Sequence, residues 1–221
     1  MTKEAKILIG IAILVIAGGV LLAIYANPRA AEPGKPVDEK SLIRDTSHMT
    51  KQSSAKVNIV EFGDYQCPGC GAAYPILKQV LDKYKDNNNV NFVFRNFPLE
   101  TIHPNARVAA EAAEAAAAQG KFWEMHDLLY EKQTEWSTQD DPTIMFADYA
   151  ASLGLNVDTF KLSISQALSK DIIKADIDDG NALQVAGTPT FFLNGVLFAP
   201  TPGHIPTADE FTKKIDEELA K

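Results

Sequence analysis

The sequence has almost no cysteine. Two occur in 221 residues, too few for a disulfide scaffold. It also lacks an excess of positive charge. Lys and Arg number 21 against 29 Asp and Glu, for a formal net charge of −8. Nucleic acid and anionic lipid are gripped through clustered Lys and Arg, so the balance argues against both as charge-driven partners. No second Cys-x-x-Cys and no close pair of histidines is present to complete a four-ligand zinc site, and no metal is expected. No internal repeat interrupts the chain.

The two cysteines that are present stand together, in Cys67-Pro68-Gly69-Cys70. An apolar run from Val57 to Phe62 leads into them and a helix-like run from Gly71 to Tyr84 leads away. A Cys-x-x-Cys where a strand turns into a helix is a redox motif first. A disulfide across two intervening residues closes too small a loop to add much stability.

The chain length suits a tether plus one domain of about 150–200 residues. Residues 1–6 are short and mildly basic. Residues 7–25 carry no charge, about one bilayer crossing at helical rise. A cleaved signal peptide is the alternative, but its apolar core would be shorter and no good small-residue cleavage site follows. We therefore expect an uncleaved transmembrane anchor, with residues 1–6 cytoplasmic and the domain outside the cell membrane. Lys3 and Lys6 set that orientation weakly, against Arg29 and Lys35. Residues 26–55, with Pro28, Pro33, Gly34 and Pro36, read as a linker. His48 and Met49 within it are expected to be solvated.

The domain then runs over 56–221. Lys56 to Gly63 reads as a buried strand. Pro68 at the first helical position suits a helix start, and Pro75 inside the pattern predicts a kink. Val90 to Phe97 is the next strand, giving β-α-β with a parallel pair. Helical patterns follow at Pro104 to Gln119, Phe122 to Gln133, and Asp141 to about Gly154. Asp158 to about Val185 supplies one long helix or two shorter ones. Asn194-Gly195 between Thr190 to Leu193 and Val196 to Ala199 is a hairpin signal. A loop of Pro200, Pro202, Gly203 and Pro206 precedes a capping box at Thr207 to Glu210 and a last helix over Phe211 to Leu219.

Several stretches resemble one family. They are Glu61-Phe62 with Asp64 to Cys70, Phe94 to Leu99 with His103-Pro104, Ala109-Ala110, Gln119 to Trp123, Met125-His126, and Val185 to Gly195. Together they are similar to the DsbA-like thiol:disulfide oxidoreductases, in the membrane-anchored bacterial branch, from about Val57 to Leu219. The element order agrees. It is that of an α/β thioredoxin fold with an all-helical subdomain inserted at about 103–185.

Cys67 at a helix start would be the nucleophile, its thiolate favoured by the amide groups and positive partial charge there. Cys70, one turn on, would close the intramolecular disulfide. Pro68 and Gly69 tune the site. Gly69 stands where the best-known strongly oxidising relatives carry a histidine, so a Cys67 pKa of about 4–7 is expected, below the free value of about 8.5. The resemblance implies that Thr188-Pro189 carries a cis peptide facing the cysteines, with Thr188 pairing a substrate strand. It also implies that Glu61 is a buried acid serving as proton relay. Asp64 and Tyr65 are expected at the rim, with Asp64 opposing the thiolate. His103 is expected to start a helix, and His126 and His204 to lie at core edge and surface. Asp176, Asp178 and Asp179 read as a solvated helix end. Phe122, Trp123, Trp136 and Phe146 read as core.

The function these residues support is oxidation of thiols in exported proteins, without a cofactor. The resemblance implies a quinone-linked membrane thiol oxidase as recycling partner. A monomer is expected, and no dimerisation domain precedes the fold, which weighs against an isomerase. The alternatives are a reductase or isomerase using the same site, or a tethered peptide-binding module without turnover.

Overall fold

The computed structural model describes residues 36–199 and 203–221. The expected anchor over 7–25 and most of the proline-rich loop at 200–202 lie outside the described residues. No helix among the described residues is long and apolar enough to cross a membrane.

Five strands form one mixed sheet: β1 (His48–Met49), β2 (Val57–Gly63), β3 (Val90–Asn96), β4 (Thr190–Leu193) and β5 (Val196–Leu197), in the order β1-β3-β2-β4-β5. Only β2 and β3 pair in parallel. A parallel pair needs a crossover, and α1 (Pro68–Lys83) supplies it. Every residue of β2 and β3 is buried, because both faces are covered. Val57 and Ile59 share one face with Phe92, Phe94 and Phe191, under the helices. Val60 and Phe62 share the other with Val93, Phe192 and Leu183. Side chains alternate along a strand, so Glu61 points to the first face, beneath α1.

Between β3 and β4 lie α2 (Ala106–Ala117), α3 (Phe122–Glu131), α4 (Gln133–Trp136), α5 (Thr143–Ser152), α6 (Val157–Ser165) and α7 (Lys170–Ala182). The helix expected over Phe122 to Gln133 is thus two, broken at Lys132. The 158–185 stretch is also two, with Ala167 at φ 47 in the break. The alanines of α2 are almost all buried, where small side chains let neighbouring helices approach. Asn194 and Gly195 take φ 48 and 80, the mirror-image turn that matches strand twist. The capping box forms at Thr207 and Glu210, opening α8 (Ala208–Leu219).

The stretch expected to be a linker packs on the domain from residue 36 onward. Val37 donates its N–H to the Gly195 carbonyl at 2.8 Å, and Leu42 is buried in the second core cluster. β1 pairs with the free edge of β3. His48 is not solvated. Its ring stacks on Phe122 at 3.4 Å between centroids, and Nε2 lies 2.9 Å from Glu114 Oε1. Few apolar residues do this anchoring, so composition alone reads as linker. Replacing His48 by alanine should cost about 1–3 kcal/mol, because buried Glu114 loses a partner. Urea unfolding checks it, and an unchanged midpoint would contradict this role.

The acidic run at the end of α7 is likewise no solvated end. Arg95 on β3 is fully buried, with Nε 2.6 Å from Asp176 Oδ1 and Nη1 2.6 Å from the Leu42 carbonyl. Its Nη2 pairs with Asp179, which also holds Arg44. Only Asp178 faces solvent, paired with Lys174. The i, i+3 spacing puts Asp176 and Asp179 on one face of α7, toward β3.

Candidate active site

Cys67 is the N-cap of α1 and Pro68 its first residue. An N-cap points at amide groups that have no partner in the helix. Cys67 is 8 % exposed and Cys70, on the inner side of the first turn, is 1 % exposed. Both are free thiols.

The loop that presents Cys67 is held from behind by the helical insertion. Gln133 Nε2 donates to the carbonyls of Tyr65 and Cys67 at 2.7 and 2.9 Å. Gln66 donates to the Ser137 carbonyl and accepts from the Asn105 N–H. Asp64 and Tyr65 are not at the rim; both are buried. The Asp64 carboxylate accepts from the N–H groups of Gln66 and Leu99 and lies 2.7 Å from His103 Nδ1. Its backbone N–H reaches Cys70 Sγ at 3.5 Å. His103 therefore braces the active-site loop rather than simply opening a helix. No local signal marks the bracing role of Gln133 or of Gln66, although Gln66 lies within the stretch that resembles the family.

Burial and neighbours push the two thiols apart. Cys67 is lowered to about 5, first by a hydrogen bond from the Cys70 thiol, against the cost of burial, and further by Thr188 and by the Cys70 and Gly69 amides. Thr188 Oγ1 is buried with no partner among the described residues, so its O–H is free to turn to the sulfur. Cys70 is pushed well above the ordinary thiol range, chiefly by burial. Glu61 is raised to about 8, by burial first and then by the Cys67 charge. On β2 it stands between Phe94 and Phe191, an apolar setting that favours the neutral acid.

The Thr188-Pro189 peptide is cis. The Thr188 carbonyl lies 3.2 Å from Cys67 Sγ, so this loop forms the opposite wall. Gly69 faces it closely. A Cβ at 69 would lie 3.3 Å from Pro189 Cδ and 3.6 Å from Cys67 Sγ. A cavity of about 320 Å³ runs on from there past Phe191, Phe198 and His204. His204 is exposed, as the sequence suggests, and lines the far part of this cavity. Trp136 and Phe146 are core, as is Phe122, while Trp123 is half-buried. His126 lies deeper than a core edge, 5 % exposed. Among the described residues, no three His, Cys, Asp or Glu side chains group to hold a metal ion.

A strand carrying a dithiol into a helix, opposed by a cis-proline loop, is the arrangement of one family. The family model described as thioredoxin matches residues 44–217, and the chain belongs to that family. Within it the chain is of the DsbA-like thiol:disulfide oxidoreductase type. A Bacillus cereus protein described as "Probable disulfide bond formation protein D" is 29% identical over 223 residues, 97% of this chain and 95% of that one. The crystal structure of oxidised BdbD from Bacillus subtilis superposes with a TM-score of 0.72 at 25% identity, covering 87% of this chain and 100% of that one. Alpha-DsbA1 from Wolbachia pipientis, at 21% identity, shares the fold with a TM-score of 0.70, over 82% of this chain and 95% of that one. A Salinispora arenicola protein named Na(+)/H(+) antiporter NhaA 1 is 42% identical over 151 residues, 68% of this chain and 22% of that one. The chain spans about a fifth of the length of such relatives, and the exchange in their name is said of them.

Proposed function

We propose that this chain oxidises paired thiols in exported proteins by dithiol–disulfide exchange through Cys67 and Cys70. The observation that carries the reading is the opposed setting of the two sulfurs. Cys67 is a low-pKa thiol at the cis-proline wall, and Cys70 is a high-pKa thiol buried near Glu61. In the oxidised form a substrate thiolate attacks Cys67 Sγ, the Cys67–Cys70 bond breaks, and its electron pair leaves on Cys70. The Glu61 carboxyl gives Cys70 its proton. A second substrate thiolate then attacks the mixed disulfide and expels Cys67, which leaves readily because its thiolate is stable. The substrate gains one disulfide and the protein becomes the dithiol. Thr188 and Pro189 hold the substrate strand beside Cys67, Gly69 leaves the space facing Pro189 free of a side chain, and Pro68 starts the helix.

Residues 7–25 anchor the chain, and the domain works outside the cell membrane, where disulfides persist. A membrane quinone-linked thiol oxidase takes the electrons from the reduced pair, and the chain acts as a monomer. The description of the Bacillus cereus relative as a disulfide bond formation protein supports the oxidising direction. The reduction potential against glutathione tests it. A value near about −120 mV is expected, and one near about −270 mV would make the chain a reductase.

A further inference from the structure

Behind the sulfurs lies a group of titratable side chains that exchange at Cys67 does not use. α3 turns His126 inward, its ring 4.9 Å from that of Phe94 and 5.1 Å from that of Tyr130. Phe94 is the residue opposite Glu61 in the β2–β3 register, so Glu61 and His126 flank one ring. His126 Nδ1 lies 3.3 Å from Asp127 Oδ1. A carboxylate only accepts, so in this dithiol form Nδ1 carries the hydrogen and Nε2 is left as an acceptor. Nε2 is buried and has no partner among the described residues, and the same holds for Tyr130 Oη.

Glu61, His126 and Tyr130 line one cavity of about 190 Å³ between α1 and α3. It opens at Lys78 and Asp127, which pair at 2.8 Å with side chains 45% and 39% exposed. That volume holds several waters, and the polar atoms facing it supply the partners water needs. It shares no residue with the cavity beside Gly69 and Pro189, so it is a separate opening.

We propose that His126 carries the Glu61 proton to and from solvent across this cavity, with Asp127 as its outer partner. The inference rests on the exchange reading above. When Cys70 leaves as a thiolate it takes the Glu61 proton, and Glu61 is then a buried carboxylate. In the disulfide form the neutral ring holds its hydrogen on Nε2; water in the cavity carries that proton to Glu61 and Nδ1 regains one from the Asp127 side, which leaves the Nδ1–H ring of the dithiol. When the dithiol is reoxidised the flow reverses: Glu61 gives its proton through water to Nε2, Nδ1 releases one outward, and the Glu61 carboxylate takes the Cys70 proton. The two half-reactions return the imidazole to its starting tautomer, with one proton moved each way. Burial lowers the His126 pKa and keeps the resting ring neutral, as such a relay needs. Tyr65 from the active-site loop, Tyr74 and Lys78 from α1, Glu61 from β2 and His48 from β1 face the ring. Asp127 and Tyr130 flank it on its own helix.

The test is the reaction of the reduced protein with oxidised glutathione, resolved into formation of the mixed disulfide at Cys67 and its resolution by Cys70. Only resolution needs the Cys70 proton to leave. In His126→Ala, resolution should slow on the order of tenfold relative to formation below pH 7, and added imidazole should restore it. Asp127→Asn, at the exposed mouth, should shift the pH profile of resolution in the same sense. If both variants resolve at the wild-type rate at every pH, the relay is overturned. It is also overturned if imidazole leaves a slowed His126→Ala unchanged while Asp127→Asn keeps the wild-type profile. Should His126→Ala fail to fold, Asp127→Asn decides alone, and a wild-type profile rejects the relay. A wild type that forms no mixed disulfide would reject the exchange reading itself, and the relay with it.

Discussion

Cys67→Ser is expected to abolish thiol–disulfide exchange, with a loss of roughly 10³-fold or more, since the attacking and leaving group is a thiolate and a hydroxyl supplies none. Cys70→Ser should behave differently. It retains the nucleophile but removes the resolving sulfur, so mixed disulfides with substrate should accumulate. The Cys67 titration separates the two roles of Cys70. Its S–H is the largest influence holding Cys67 at about 5. A serine hydroxyl can donate in its place and should leave the Cys67 midpoint within about one unit. An alanine cannot, and Cys70→Ala should raise the midpoint further than Cys70→Ser. Mass spectrometry of trapped adducts and thiolate absorbance measure the two effects. Equal substrate turnover by wild type and Cys67→Ser would leave only a peptide-binding module.

Glu61→Gln is expected to stabilise the protein while slowing it. The Glu61 pKa is raised to about 8 in the folded chain. A group raised on folding contributes stability that is complete below its unfolded pKa, near about 4.3, and is lost as pH rises through the folded value. At about 1.36 kcal/mol per unit, that shift amounts to an upper bound of about 5 kcal/mol lost by pH 9. Glutamine cannot ionise and escapes the loss, though its amide must be buried without the acid's own history of partners. A gain of about 2–4 kcal/mol over wild type at pH 8 is therefore expected, shrinking toward pH 4. Cys67 works in the opposite sense in the reduced form. Its lowered pKa adds stability above the ordinary thiol range and loses it as pH falls through about 5. The difference between Glu61→Gln and wild type cancels that contribution, so both are unfolded in urea across the same pH range. Without the Glu61 proton to give, release of Cys70 should slow by at least about tenfold. A variant that gains nothing at pH 8 would place an ionised, well-paired Glu61 in the fold.

The chemistry was readable where it is local. Cys67, Pro68 and Cys70 sit on one strand–turn–helix, and the Asn194-Gly195 hairpin is likewise a matter of adjacent residues. Thr188-Pro189 is 121 residues from Cys67 and was reached only through the likeness of the surrounding stretch to a known family. What escaped depends on partners that meet after the insertion folds against the sheet. Gln133 crosses 66 residues to the Cys67 carbonyl, His103 crosses 39 to Asp64, and Arg95 crosses 81 to Asp176. In each case the residue type alone fits solvent as well as core. Residues 26–55 read as linker because their composition is polar and proline-bearing. Leu42 and His48 nevertheless fill sites that only the assembled domain creates.

This fold keeps Cys67 as a thiolate at neutral pH while Cys70 stays protonated. Ultraviolet thiolate absorbance of the reduced chain, titrated from acid to base, tests it directly. One thiolate should form with a midpoint of about 5 and a second well above the free-thiol value of about 8.5. A first midpoint above 8 would contradict it.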